Sequence, residues 1–169
     1  RSGFVTLVGR PNVGKSTLLN NILGQKVTIV SDKPQTTRTQ VRGVLTRPDA
    51  QVVFVDTPGI HKPRSVLGER LNASAEDALA GVDVVCFVVD GAKGIGTGDE
   101  YLAGRLPKSA LVVLNKIDRA GPARTFEQLQ TAAGFEFAEY FPISARTGKG
   151  VPELVERIIE MLPEGPKYY

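Results

Sequence analysis

Short apolar runs punctuate the chain at Phe4–Val8, Val52–Val55, Val82–Val89, Ala110–Leu114 and Tyr140–Ile143. Most are near-continuous in valine, leucine, isoleucine and phenylalanine rather than alternating. A continuous run signals burial on both faces, as in a parallel sheet. Val41–Thr46, VRGVLT, is more mixed and reads as an edge strand. The turn signal Arg47-Pro48-Asp49-Ala50-Gln51 predicts that it pairs antiparallel with the run after it.

Helical patterns fill the intervals. Lys15–Leu23 is closed by Gly24, Leu67–Leu79 ends at Gly81, Gly98–Leu106 stops at Pro107, and Ala123–Ala133 precedes Gly134. Val151–Leu162 carries Pro152 in its first turn, then Leu154, Val155, Ile158, Ile159 and Leu162 at helical spacing. Such alternation predicts a three-layer α/β fold, with a mostly parallel six-stranded sheet, one antiparallel edge strand and helices on both faces. The Pro/Gly-rich stretch Pro163–Tyr169 reads as a linker leaving the domain.

Composition narrows this only slightly. At 169 residues the chain is most simply one domain, and 41% apolar with 23% charged residues is ordinary for a soluble globular protein. A formal charge of +3 is too mild to argue for nucleic acid by itself. Cys86 is the only cysteine, which excludes an internal disulfide or a zinc cage and fits a reducing compartment. It lies in VVCFVVD and reads as a packing thiol. No run reaches the roughly 18 apolar residues of a membrane span, and the start has no secretory pattern.

The candidate chemistry begins where the first strand ends. Gly9 to Ser16, GRPNVGKS, fits GxxxxGK[ST] at a strand–helix junction, which points to a P-loop NTPase fold. Glycines let backbone N–H groups curl around phosphate oxygens, and the helix N-terminus adds partial positive charge. Lys15 is expected to reach the β- and γ-phosphates and the Ser16 hydroxyl to ligate Mg²⁺. Asn12, Val13, Gly14 and Thr17 complete the expected phosphate set. Asp56 ends another apolar run as the first residue of DTPG, placed to hold the Mg²⁺ shell through water. Gly59 can offer its N–H to the γ-phosphate.

The base reader is expected in LVVLNKID, Leu111–Asp118. An Asp118 carboxylate can accept both N1–H and the 2-amino group of guanine, whereas adenine has no 2-amino group and an acceptor at N1. Asn115 braces that pocket and the Lys116 stem packs along the base. Ser144-Ala145-Arg146 follows the last strand, where the Ala145 N–H could meet guanine O6. Each motif follows a predicted strand, so all fall on one edge of the sheet.

With these residues in place, the chain resembles the translation-factor-related GTPases and, within them, the Era-type GTPases. GRPNVGKSTLLN is shared with several bacterial GTPases of that class. QTTRTQ (Gln35–Gln40) and DTPGIHKP (Asp56–Pro63) carry the narrower likeness. The resemblance implies a GTP-hydrolysing switch with Mg²⁺, its GTPase domain at 1–162. Residues 163–169 would be a linker remnant towards an RNA-binding KH-type domain absent from these residues. It also implies rRNA and the small ribosomal subunit as partners, mainly through that domain, and a cytoplasmic location. Peripheral association with the inner membrane stays open.

The same resemblance makes Gln35–Gln40 part of a first switch, with Thr37 preferred over Thr36 as the residue that ligates Mg²⁺ and senses the γ-phosphate. The second switch would run from Asp56 through His61–Arg64. Ile60 stands where many small GTPases place a water-orienting glutamine, so slow intrinsic turnover is expected. His61 is read as a polar loop residue or a base. Related GTPases with asparagine at the position of Asn12 use K⁺ as a charge-neutralising ion, so Asn12 is an indirect K⁺ ligand or a loop-shaping residue. Lys26, Lys33, Arg38, Arg42, Arg47, Lys62 and Arg64 form a basic region, either a solvated face or an RNA contact. Rival readings are a tandem-domain or tRNA-modifying GTPase, a docking module with little catalysis, and an ATP-dependent kinase.

Overall fold

The computed structural model describes residues 1–24, 40–57 and 79–169. In chain order these form β1 (Ser2–Val8), α1 (Lys15–Leu23), β2 (Gln40–Arg47), β3 (Ala50–Asp56) and β4 (Val84–Asp90). α2 (Thr97–Ala103), β5 (Leu111–Asn115), α3 (Ile117–Ala133), β6 (Glu139–Pro142) and α4 (Val151–Met161) follow. The helix expected at Leu67–Leu79 falls almost wholly outside the described residues.

The sheet has six strands in the order β2-β3-β1-β4-β5-β6. Only β2 and β3 are antiparallel; β1 pairs in parallel with β3 and β4, and β5 with β4 and β6. The expected fold class is therefore observed. Register carries the parallel strand ends to one edge, with Thr6 opposite Val55, Val8 opposite Phe87 and Asp90 opposite Asn115. Ligands in such sheets bind at this carboxyl edge.

Alternation sorts side chains between two cores. On β4, Cys86 and Val88 pack with Leu18 and Ile22 of α1 and Leu154 and Ile158 of α4. Phe87 and Val89 face the other way, against Leu102 of α2, Ala132 of α3 and Phe137. Every β4 residue is buried, which is why its spelling is continuous. Fully burying one such side chain contributes roughly 1.5–3 kcal/mol, so these two layers hold the sheet between the helices.

Helix boundaries differ from the periodic reading where local bonds decide them. α2 starts at Thr97 because Asp99 Oδ2 accepts the Gly96 N–H at 2.9 Å. It ends at Ala103 and not Leu106, since the next N–H groups reach back only three residues, Arg105 to Leu102 and Leu106 to Ala103. α3 includes an extra turn before Pro122, separated from the rest by Gly121 at φ +77°.

Pro163–Tyr169 lies against β1 and β3. Pro163 O accepts the Ser2 N–H at 3.0 Å, and the Tyr168 ring lies 5.0 Å from that of Phe4. Gln51, fully buried in β3, accepts the Tyr168 and Tyr169 N–H groups at 2.7 and 2.9 Å through Oε1. Its Nε2 donates to Tyr169 O at 2.8 Å. A side-chain amide thus pairs with the tail as a neighbouring strand would.

Candidate functional site

The loop after β1 needs left-handed backbone twice, at Asn12 (φ +68°) and Gly14 (φ +104°). A Cβ on Gly9 would stand 2.5 Å from Val88 O, and one on Gly14 would collide with the Asn115 amide. The loop is thus held close to β4 and β5, with Val13 buried beneath it. Lys15 opens α1, and its Nζ donates to Gly9 O and, at 3.3 Å, to Arg10 O. Burial lowers the Lys15 pKa from its ordinary value, opposed by the attraction of Asp56. Ser16 and Thr17 are exposed on the first turn.

Asp56 closes β3 across from that turn. Lys15, Ser16, Asp56 and Arg42 line one cavity of about 380 Å³. Asp56 Oδ2 is 2.6 Å from Arg42 Nη2. A hydroxyl and a carboxylate are hard oxygen donors that suit Mg²⁺, which commonly takes few protein ligands beside phosphate oxygens and water. Among the described residues no group of three or more His, Cys, Asp or Glu could hold a metal ion.

Asn115 is the joint between loops. It is buried, its Nδ2 donates to Val13 O at 2.8 Å, and its Oδ1 accepts the Ala145 N–H at 2.8 Å. It thus ties the loop before α1 to the turn after β6. The Ala145 N–H, expected towards a base, is engaged by this contact. Ser144 Oγ donates to Asp118 Oδ1 at 3.0 Å and accepts the Thr147 N–H at 3.1 Å. That bond fixes the Asp118 carboxylate on the exposed first turn of α3, where the helix N-terminus favours its charge. Arg146 is exposed beside it.

Lys116, left-handed at φ +70°, sends Nζ to Asn12 O at 2.8 Å and to Asp90 Oδ2 at 2.9 Å. Asp90 Oδ1 accepts the N–H groups of Ala92 and Lys93 at 2.9 and 2.8 Å. Burial pushes the Asp90 carboxyl up, but the Lys93 N–H, Lys116 and the Ala92 N–H together hold it below its ordinary value. Sequence reasoning missed Asp90, although a carboxylate ending a buried strand before Gly91 was a usable signal.

A family model described as "50S ribosome-binding GTPase" matches residues 4–116. That span holds the phosphate loop, Asp56 and the Asn115-Lys116 pair. The chain belongs to this GTPase family.

Relatives agree over a longer span. GTPase Era of Clostridium kluyveri is 48% identical over 173 residues, covering 100% of this chain and 59% of that protein. GTPase Era of Clostridium botulinum is 51% identical with the same coverage. The chain thus spans about three fifths of the curated relatives it matches. A crystal structure of a point variant of Aquifex aeolicus Era bound to GDP·AlF4⁻ superposes with a TM-score of 0.78 at 42% identity, covering 100% of this chain and 60% of that one. Era in complex with MgGDPNP and nucleotides 1506–1542 of 16S ribosomal RNA gives 0.78 and 42%, with 100% and 59% covered.

Asn12, Val13, Gly14, Lys15, Ser16 and Thr17 follow one another after the end of β1, and Lys15 and Ser16 share a cavity with Asp56. Asn115 meets Ala145 and Asp118 meets Ser144, while Lys116 turns to Asn12 and Asp90 and Arg146 is exposed. Thr36, Thr37, Gly59, Ile60 and His61 lie outside the described residues, as do Lys26, Lys33, Arg38, Lys62 and Arg64. The described members of the basic region are both ion-paired, Arg42 with Asp56 and Arg47 with Glu156. No described helix is long and apolar enough to cross a membrane.

Proposed function

We propose that this chain binds GTP and GDP with Mg²⁺ and hydrolyses GTP to GDP and phosphate as a molecular switch. The observation that carries the reading is the convergence of Lys15, Ser16, Asp56, Asn115, Lys116 and Asp118 on one sheet edge. Lys15 would exchange its loop carbonyls for the β- and γ-phosphates, and the Gly14–Thr17 amides would meet phosphate oxygens. Asp118 would accept guanine N1–H and the 2-amino group, with Ser144 and Ala145 closing the pocket. When bound, Mg²⁺ neutralises charge on the β- and γ-phosphate oxygens; Ser16 and Thr37 would ligate it and Asp56 would hold its water shell. Gly59 would donate to the γ-phosphate. Ile60 carries no polar group to orient water, so low intrinsic turnover belongs to this reading.

Residues 1–162 are taken as the GTPase domain and 163–169 as the start of a connection towards an RNA-binding domain. In the whole protein we assign a role in small ribosomal subunit assembly through rRNA, in the cytoplasm, with any inner-membrane contact peripheral. The likeness to Era crystallised with a 16S rRNA fragment supports it. The exposed Asn12 side chain supports an indirect K⁺ role, tested by comparing turnover in potassium and sodium at equal ionic strength.

The deciding experiment titrates the chain with GDP, a non-hydrolysable GTP analogue and ATP, with and without Mg²⁺. Guanine nucleotides should win by roughly 10⁴-fold, and Asp118→Asn should abolish that preference. Equal competition by ATP would overturn the reading. Multiple turnover separates the enzyme from a docking module.

A further inference from the structure

Arg42 stands out of register on its strand. β2 pairs Val41 with Val55 and then Gly43 with Phe54, so Arg42 is the extra residue of a β-bulge. Bulges re-aim a side chain and recur beside functional sites. Here the bulge aims a guanidinium at Asp56, with Arg42 Nη2 2.6 Å from Asp56 Oδ2. The same cavity holds Lys15 and Ser16. None of the nucleotide motifs requires an arginine at this place, and the chemistry proposed above leaves it without a task.

We propose that Arg42 is a built-in competitor of Mg²⁺ for Asp56, a residue that sets the affinity for the metal and is not part of the phosphate grip. The inference rests on the Mg²⁺–nucleotide reading of this site. A guanidinium on Oδ2 takes acceptor sites that the water shell of the ion would otherwise use, and its charge opposes a second cation nearby. The two side chains are 48% and 33% exposed, so the pair is a weak one that the ion can displace. Arg42 therefore lowers metal affinity without abolishing it. Each time the ion departs, Arg42 retakes the carboxylate and slows its return, which speeds metal-dependent nucleotide release.

The test measures release of a fluorescent GDP analogue across free Mg²⁺ concentration in the 169-residue chain and its variants. Arg42→Gln and Arg42→Met, the second preserving the packing of the stem, should both move the midpoint to about two- to fivefold lower Mg²⁺. Arg47→Gln removes the same charge from the far end of β2, where Arg47 pairs with Glu156, and should leave the midpoint in place. A midpoint unmoved or raised in both Arg42 variants would overturn the competitor while sparing the metal reading. An equal shift in Arg47→Gln would also overturn it, because net charge would then suffice. Release from the unaltered chain that ignores Mg²⁺ would overturn both.

Discussion

Lys116 and Asn12, 104 positions apart, are joined by a 2.8 Å hydrogen bond from the lysine ammonium to the asparagine carbonyl. The same ammonium rests on Asp90 at 2.9 Å. A motif assigned to the base therefore also carries the phosphate loop, and the end of β4 anchors both.

Removing either side of that anchor should loosen GDP. Lys116→Ala is expected to weaken GDP binding about tenfold or more, and a double-mutant cycle with Asp90→Ala should show a coupling of about 1–3 kcal/mol. Additive effects, measured by GDP titration, would refute the anchor.

Acid should reveal the same carboxylate. The folded Asp90 pKa lies below the usual carboxylate range, so its contribution to stability is present above the unfolded value. It declines as pH falls through the folded value. Asp90→Asn should flatten the acid limb of a urea-midpoint profile below about pH 4. An unchanged limb would contradict the assignment.

Gln51 should behave as the clasp of the tail. Its amide meets Tyr168, Tyr169 and Thr46 Oγ1 while fully buried. Gln51→Leu leaves those amides without a partner and should cost about 1–3 kcal/mol, with faster hydrogen exchange at Tyr168 and Tyr169. Exchange that stays slow would show that the Tyr168 ring against Phe4 suffices alone.

Cys86 offers a silent reporter. Burial pushes its thiol up to about 12, and its side chain is fully enclosed. Alkylation of the folded chain at pH 8 should run about 10³-fold or more slower than a free thiol, reaching the free rate only on unfolding. Rapid labelling without denaturant would place Cys86 at a surface.

Contiguous signals were legible in the chain; remote partners were not. The phosphate loop, Asp56 and Asn115-Lys116-Ile117-Asp118 are spelled in single stretches, and the sheet edge assembles them. Ala50 and Gln51 were read as turn residues, yet they begin β3, because they pair with Arg47 and Thr46 of β2 and the Gln51 N–H donates to Arg1 O at 2.8 Å. β1 likewise starts at Ser2, a polar residue that becomes buried under Pro163. Val82 and Asp83 were read as strand but precede β4; the Asp83 carboxylate accepts the Phe4 N–H at 2.8 Å and so borders the sheet from outside it. Arg42 was counted among surface charges because a bulge leaves no mark in composition.

Asn115 has a wider consequence. One buried amide grips the phosphate loop with its nitrogen and the turn after β6 with its oxygen. For the nucleotide proposed above, affinity for its sugar-base half and affinity for its charged half should therefore not be tunable apart. Damage at either end should register at the other as a shared loss.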